Sequence, residues 1–339
     1  MTGSGSRDSR PRGVWQSKAG IAVAAYGIAM ALFAVFLKAE GDVSPAGMLA
    51  LFAPRWVALV PWAPLILAAM VGRRWRVLAV ATFGLLFTLR TVAFFEMPLR
   101  RSTTTGRHAL RIVTYNTDRS AVLANRIRAD LSRWNADVVL LQDCKTIVAD
   151  TLKSIAGVHV HTTPEFCLVS RLPVESVDLM PTEQRPGAVL QGRPGHGIRY
   201  RVRTADAVVP IYSVHLESPR TALWSARNGD LSRLAVSIRA RGADSRRTSV
   251  LVDRRDSAFV VAGDFNLPYG SAILQRDWGD LGNAFGAAGW GIGNTMFAGR
   301  YAVRIDHVLM SRAFRAASVE LLHGYPSEHQ PVMAMLEWR

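Results

Sequence analysis

Cysteine is nearly absent. The 339 residues hold two, Cys144 and Cys167, too few for a disulfide-dense scaffold or a thiolate zinc site. Both fall in segments predicted to be neighbouring strands, and the reading is two buried free thiols. Pairing is the alternative if that part of the chain is exported. Lysine is scarce as well: Lys18, Lys38, Lys145 and Lys153 are the whole set among 41 basic residues. The net charge of +15 suits nucleic acid, anionic lipid or another phosphate-bearing partner, and it divides into +7 over residues 1–100 and +8 over residues 101–339. So one-sided a use of Arg reads as compositional bias, and charge alone assigns no partner. The sequence shows no internal repeats. The only biased tract is the Ser/Arg/Gly-rich tail at residues 1–18, read as disordered.

Charge is also missing from long stretches of the first hundred residues. Ala19 to Leu37 is a run of nineteen residues without a charged side chain. As a helix it covers roughly 28 Å, about a bilayer core. A second apolar segment, Trp56 to Val71, is extended backward by Gly47 to Pro54 and interrupted by Arg55. A third, Val77 to Phe95, contains Arg90. Two further segments after the first argue against a cleaved signal peptide, and the expectation is three transmembrane helices within residues 19–97. Arg7, Arg10, Arg12 and Lys18 precede the first segment, and Arg73, Arg74 and Arg76 follow the second. Positive flanks stay in the cytoplasm. The tail at 1–18 is therefore expected inside, and everything beyond a short linker at 98–108 outside. Arg55 and Arg90 would then reach the outer leaflet, by snorkelling or to hold an anionic lipid head.

Residues 109–339 alternate like an α/β domain. Strands are predicted at Arg111–Tyr115, Val138–Gln142, Phe166–Ser170, Tyr200–Val202, Val208–His215, Phe259–Ala262, Ile305–Met310 and Val332–Leu336. Helical periodicity marks Ala121–Trp134 and Ala222–Arg241, and more weakly the stretches after Ile273 and around Leu281–Ala288. Several strands are continuous apolar runs, as in sheets covered on both faces. Their ends are polar in a repeated way. "RIVTYNTD" presents Asn116 and Asp118, "DVVLLQDC" presents Gln142 and Asp143, and "VPIYSVHLESP" presents His215. "VVAGDFNLP" presents Asp264 and Asn266, "RIDHVLMS" Asp306, and "PSEHQPVMAML" Glu328 and His329. One such residue is an ordinary turn former. Six strand-associated segments, each delivering an acid, an amide or an imidazole, indicate a site at one rim of a rigid scaffold. His307 neighbours Asp306 along its strand and should face the other way. His161, His196 and His323 read as surface loop residues, and Trp134, Trp224, Trp278 and Trp290 as core or helix-face residues.

In this order the motifs "TYN", "LQ" plus an acid, "HL", "GDFN", "DH" and "S-acid-H-x-P" resemble the endonuclease/exonuclease/phosphatase superfamily. Its members include DNase I-like nucleases, abasic-site endonucleases, neutral sphingomyelinases and inositol polyphosphate 5-phosphatases. The resemblance implies a four-layer α/β/β/α sandwich of two mixed sheets, and hydrolysis of phosphoesters with Mg²⁺ or Mn²⁺. It implies Asp143 as the principal metal ligand, with Asn116, Asp118 and Glu328 beside it, since hard cations take oxygen donors. Asp264 would orient or deprotonate the attacking water, and Asn266 would donate to a phosphate oxygen. His329, held by Asp306, would bind the scissile phosphate, and His215 would assist from the other side. Arg220 could touch substrate. The family usually has Glu where this chain has Asp143 and Asp where it has Glu328, and the paired swap reads as activity with altered geometry. Three spans before such a domain are also similar to VanJ-like glycopeptide-resistance proteins, which implies a polyprenyl-pyrophosphate-like lipid substrate at the membrane. A tethered nuclease and a catalytically silent lipid- or phosphate-binding domain are the alternatives.

Overall fold

The structure is a computed structural model that describes residues 17–98, 109–118, 123–163, 165–180, 197–299 and 301–339. His196, the tail before residue 17 and all of the expected linker except Pro98 lie outside the described residues. The chain divides into two compact units, Met1–Phe36 with Arg55–Phe94, and Leu37–Pro54 with Phe95–Arg339.

The first unit is helical. Helix α1 spans Lys18–Ala39, α2 Pro45–Phe52, α3 Trp62–Val71 and α4 Trp75–Thr91, with a 3-10 turn at Arg55–Leu59; α2 and the end of α1 belong to the second unit. Trp62 is the centre of the helical unit. Its ring meets Tyr26 edge-on at 5.0 Å, and its Nε1 donates to Thr88 Oγ1 at 2.9 Å. Among the described residues, α1 alone is one continuous helix long and apolar enough to cross a membrane. The expectation of three spans is corrected here. The second apolar segment is broken around Pro54, which has no amide N–H to continue a helix, into α2 and the separate stretch Arg55–Val71. The third forms only the 17 residues of α4, which carry Arg76 and Arg90. Gly47 to Pro54, read from sequence as a backward extension of a span, is instead the short α2, capped by Ser44 Oγ accepting from Gly47 N at 3.1 Å.

The second unit holds two six-stranded mixed sheets. The first runs in the order β13 (Phe314–Leu321), β14 (Val332–Trp338), β1 (Ala109–Asn116), β2 (Val138–Gln142), β4 (Phe166–Ser170), β3 (His159–Thr162). The second runs β5 (Val174–Leu179), β6 (Gly197–Arg203), β7 (Val208–His215), β8 (Val260–Asp264), β12 (Asp306–Met310), β9 (Gly282–Asn283). A separate hairpin pairs β10 (Met296–Ala298) with β11 (Tyr301–Val303).

Strand alternation builds the layers. Ile112, Val138 and Leu140 of the first sheet meet Ile211, Val260 and Ala262 of the second in one buried core. Their neighbours Val113, Val139 and Leu141 point outward to pack under Ile127 of α5 (Leu123–Trp134) and Val148 and Leu152 of α6 (Thr146–Lys153). Across the molecule Tyr212, Val214 and Val261 pack under Ile273, Leu274 and Trp278 of α9 (Ala272–Trp278). The remaining helices are α7 (Arg220–Arg227), α8 (Ser232–Leu251) and α10 (Ala284–Ala288). The helix expected over Ala222–Arg241 is really α7 and α8, separated at Gly229, whose φ of 89° no helix accommodates.

Each sheet contains one parallel pair, β1–β2 and β7–β8, and these set the position of the site. Asn116 lies level with Gln142, and His215 level with Asp264. β12 runs antiparallel to β8 and begins with Asp306 opposite Asp264, while β14 starts with Val332 opposite Thr114. Strand ends and strand starts carrying the polar motifs thus share one rim.

The two cysteines are a disulfide, Cys144–Cys167, with Cα atoms 5.8 Å apart. This corrects the expectation of free thiols. The bond ties the turn after β2, which carries Asp143, to strand β4.

Candidate active site

The motif "GDFN" starts with glycine for a steric reason. Gly263 has φ 149°, and a Cβ there would sit 1.9 Å from the Val214 carbonyl oxygen of the adjacent strand. That closeness brings β7 and β8 together and puts Asp264 beside His215. Asp264 is the hub. Its Oδ2 accepts from Asn116 Nδ2 at 2.9 Å, linking the two sheets, and lies 3.7 Å from His215 Nε2 and 3.8 Å from His329 Nε2. Its Oδ1 accepts from Asn266 N at 2.8 Å, which helps hold Asn266 at a φ of 51°. His329 Nδ1 contacts Asp306 Oδ2 at 2.9 Å. Ser327 explains the serine of the last motif: its Oγ donates to the Asn116 carbonyl at 3.2 Å and accepts from His329 N at 3.0 Å.

Electrostatics follow from burial with opposite charges close by. Burial alone would depress the His329 pKa, but Asp306 and Asp264 outweigh it and push it up to about 9. Burial likewise pulls His215 down, and its hydrogen bond to Glu165 with the charges of Asp264, Glu165 and Asp143 moves it upward overall. Asp264 is raised, first by burial and then by Asp306. Two imidazoles that favour the charged form flank a carboxylate that resists ionising, a pattern of groups pushed toward acid and base work.

One cleft of about 910 Å³, lined wholly by the second unit, holds His215, Asp264, Asn266 and His329 together with Asn116, Asp118, Asp143, Glu328 and Arg220. Asp306 stands behind His329, buried. Asn266 commits one amide N–H to the Leu216 carbonyl at 2.9 Å. Glu328 is engaged by Arg220 Nη2 at 2.5 Å. Asn116 Oδ1 accepts from Asp118 N at 2.8 Å, and Asp118 and Asp143 take left-handed φ values of 47° and 51° that aim them out of the strand direction. Arg55 and Arg90 belong to the helical unit, where Arg55 lies over the Phe94 ring at 4.6 Å, and neither lines the cleft.

Asp118, Asp143, Glu328 and Asn116, expected from sequence as one ligand set, all line the cleft, but Asp118 and Glu328 fall in neither of the two acid–imidazole groups whose donor atoms gather among the described residues. Asp143 also gathers with Glu165 and His215, their donor atoms all within 4.8 Å of one another, and Asp264, Asp306 and His329 form a second such group.

Glu165 was missed in the sequence. Its Oε1 meets His215 Nδ1 at 2.5 Å, so both histidines of the cleft have a carboxylate behind them. The available signal was the acid opening the buried run Phe166–Ser170. Of the tryptophans read as core or helix-face residues, Trp134 and Trp278 are core, and Trp224 stands exposed on α7 and lines the cleft.

Two facing mixed sheets with an acid–imidazole cluster on one rim define a DNase I-like α/β fold. The chain belongs to the Endonuclease/Exonuclease/phosphatase family, whose sequence model matches residues 113–329, and with it to enzymes acting on phosphoester bonds that generally depend on a divalent metal. Solved structures show the same fold at low identity. An endonuclease/exonuclease/phosphatase family protein from Bacteroides thetaiotaomicron is 14% identical with a TM-score of 0.50, the match covering 68% of this chain and 95% of that one. D. rerio TDP2 complexed with single strand DNA product is 14% identical with a TM-score of 0.50, covering 68% and 99%. A functionally unknown conserved protein from Enterococcus faecalis is 14% identical with a TM-score of 0.51, covering 68% and 100%. A search of curated protein sequences finds no match.

Proposed function

We propose that the chain is a membrane-anchored, extracytoplasmic, Mg²⁺- or Mn²⁺-dependent phosphoesterase that hydrolyses a phosphate ester or pyrophosphate of a membrane lipid, polyprenyl-pyrophosphate-like in kind. The observation carrying this reading is Asp264 held within 4 Å of both His215 and His329 on the floor of one cleft.

In this reading Asp264 orients a water and takes its proton. The water oxygen forms a bond to phosphorus, and the bond to the leaving oxygen breaks on the opposite side. His215, backed by Glu165, gives its proton to that oxygen. His329, backed by Asp306, neutralises charge on the phosphoryl oxygens, and Asn266 fixes the loop beside them. A divalent ion held by Asp143 with Asn116, Asp118 and Glu328 would supply further charge neutralisation. Phosphoryl transfer needs positioning and charge compensation more than covalent chemistry, and these residues provide both.

Two observations support the membrane placement. α1 has the length and hydropathy of a span and follows a basic tail. The Cys144–Cys167 bond suits an oxidising compartment. A substrate confined to the same surface meets a tethered site at high effective concentration.

A tethered nuclease is the second reading, favoured by the structural likeness to TDP2, which was solved with a DNA product. Purified full-length protein with Mg²⁺ or Mn²⁺ would be offered a polyprenyl pyrophosphate, sphingomyelin and plasmid DNA, with EDTA and Asp264→Ala as controls. Phosphate release from the polyprenyl lipid, abolished by both controls, supports the first reading, and nicked plasmid the second. No product from any substrate in either metal assigns a silent binding domain.

A further inference from the structure

We propose that the apolar lining of the active-site cleft is a built subsite for the hydrocarbon chain of the substrate, an inference that rests on the phosphoesterase reading above. Besides its polar groups, the cleft is lined by Leu49, Phe52 and Pro54 at α2, by Leu223 and Trp224 of α7, and by Tyr301 of the β10–β11 hairpin. Trp224 is 66% exposed and Tyr301 44% exposed. Apolar surface left open inside a cleft that also holds catalytic groups marks a ligand-binding wall.

α2 lies outside the region that the family model matches, residues 113–329. It is nevertheless locked to the domain. Asp42, two residues before its Ser44 cap, is fully buried against fully buried Arg241 of α8 at 3.1 Å. Asp42 also accepts from Ser271 Oγ at 2.8 Å, and the Phe52 ring lies 5.4 Å from the Arg241 guanidinium. The same Arg241 Nη2 donates to the Asn266 carbonyl at 2.8 Å. One guanidinium therefore joins the apolar wall to the loop that carries Asn266, and wall and catalytic groups are held as one piece.

Two features select a hydrocarbon as occupant. The wall is continuous with the phosphate-binding groups in one cleft, and α2 starts six residues after the end of the apolar α1.

The test compares isopentenyl and farnesyl diphosphate, each below its aggregation concentration, with the full-length chain in detergent. Each methylene buried is worth about fourfold in affinity. The farnesyl compound is expected to have a kcat/KM at least about tenfold higher. Leu49→Ser and Trp224→Ser should each cut that long-to-short ratio by about tenfold, and Val250→Ser, on an exposed α8 residue outside the cleft, should not move it. Equal kcat/KM for the two compounds, or a ratio unmoved by both cleft variants, overturns the subsite and leaves the phosphoesterase reading intact. Cleavage of neither compound alongside nicking of plasmid DNA overturns both.

Discussion

His307 shows how one residue's surroundings set a measurable property. It follows Asp306 on β12 and faces the opposite side, as strand alternation requires. Its Nε2 donates to the Leu267 carbonyl at 2.9 Å, its Nδ1 faces Asn283 Nδ2 at 3.3 Å, and its ring meets Phe265 edge-on. Burial, then the charge of Arg304, favour the neutral ring and depress its pKa to about 4. The unfolded chain, with an ordinary value near 6.5, binds the proton first as pH falls. Stability from this site is thus present above about pH 6.5 and is lost between there and about pH 4. The expected loss is roughly 2 kcal/mol on going from about pH 7 to about pH 5. Thermal unfolding across that range checks it: His307→Gln should flatten the pH dependence by that amount, and an unchanged slope would count against the assignment. At the same scale, the sequence made most of the rim residues legible because each stands at one end of an apolar run. Glu165 also stands at such an end, but its partner His215 is fifty positions away, and a single acid before a strand does not reveal that pairing.

At the scale of elements, the strands found from sequence are the interior ones, and those missed are the edges. β3 and β13 border the first sheet and β5 and β9 the second. Their side chains are half-exposed or exposed for most of their length, so the continuous apolar run that marks an interior strand is missing. The apolar segment at Gly47–Pro54 failed in the other direction. A short, uniformly apolar stretch reads equally well as part of a span or as a packed helix, and only the Asp42–Arg241 contact distinguishes them. That contact gives a prediction of its own. Asp42→Ala leaves Arg241 buried without its carboxylate and should cost about 3–5 kcal/mol in unfolding experiments, while Asp42→Ala with Arg241→Met should recover most of the loss. A double variant as unstable as the single one would contradict this account of how α2 is held.

For the whole molecule, orientation and catalysis can be tested separately. Protease added to intact cells should remove the domain at 109–339 and leave an N-terminal tag protected, with the reverse in inside-out vesicles; a domain protected in intact cells would place the site in the cytoplasm. Metal removal should abolish activity reversibly, with Mg²⁺ or Mn²⁺ restoring it, because oxygen donors dominate the cleft. The catalytic claim itself is that Asp264 directs water onto phosphorus between two histidines. Turnover of a polyprenyl pyrophosphate in ¹⁸O-labelled water measures it directly. The account predicts label in the released phosphate and none in the other product, with the rate lowered about 10²–10⁴-fold by Asp264→Ala. Turnover by Asp264→Ala at the unmodified rate would contradict it.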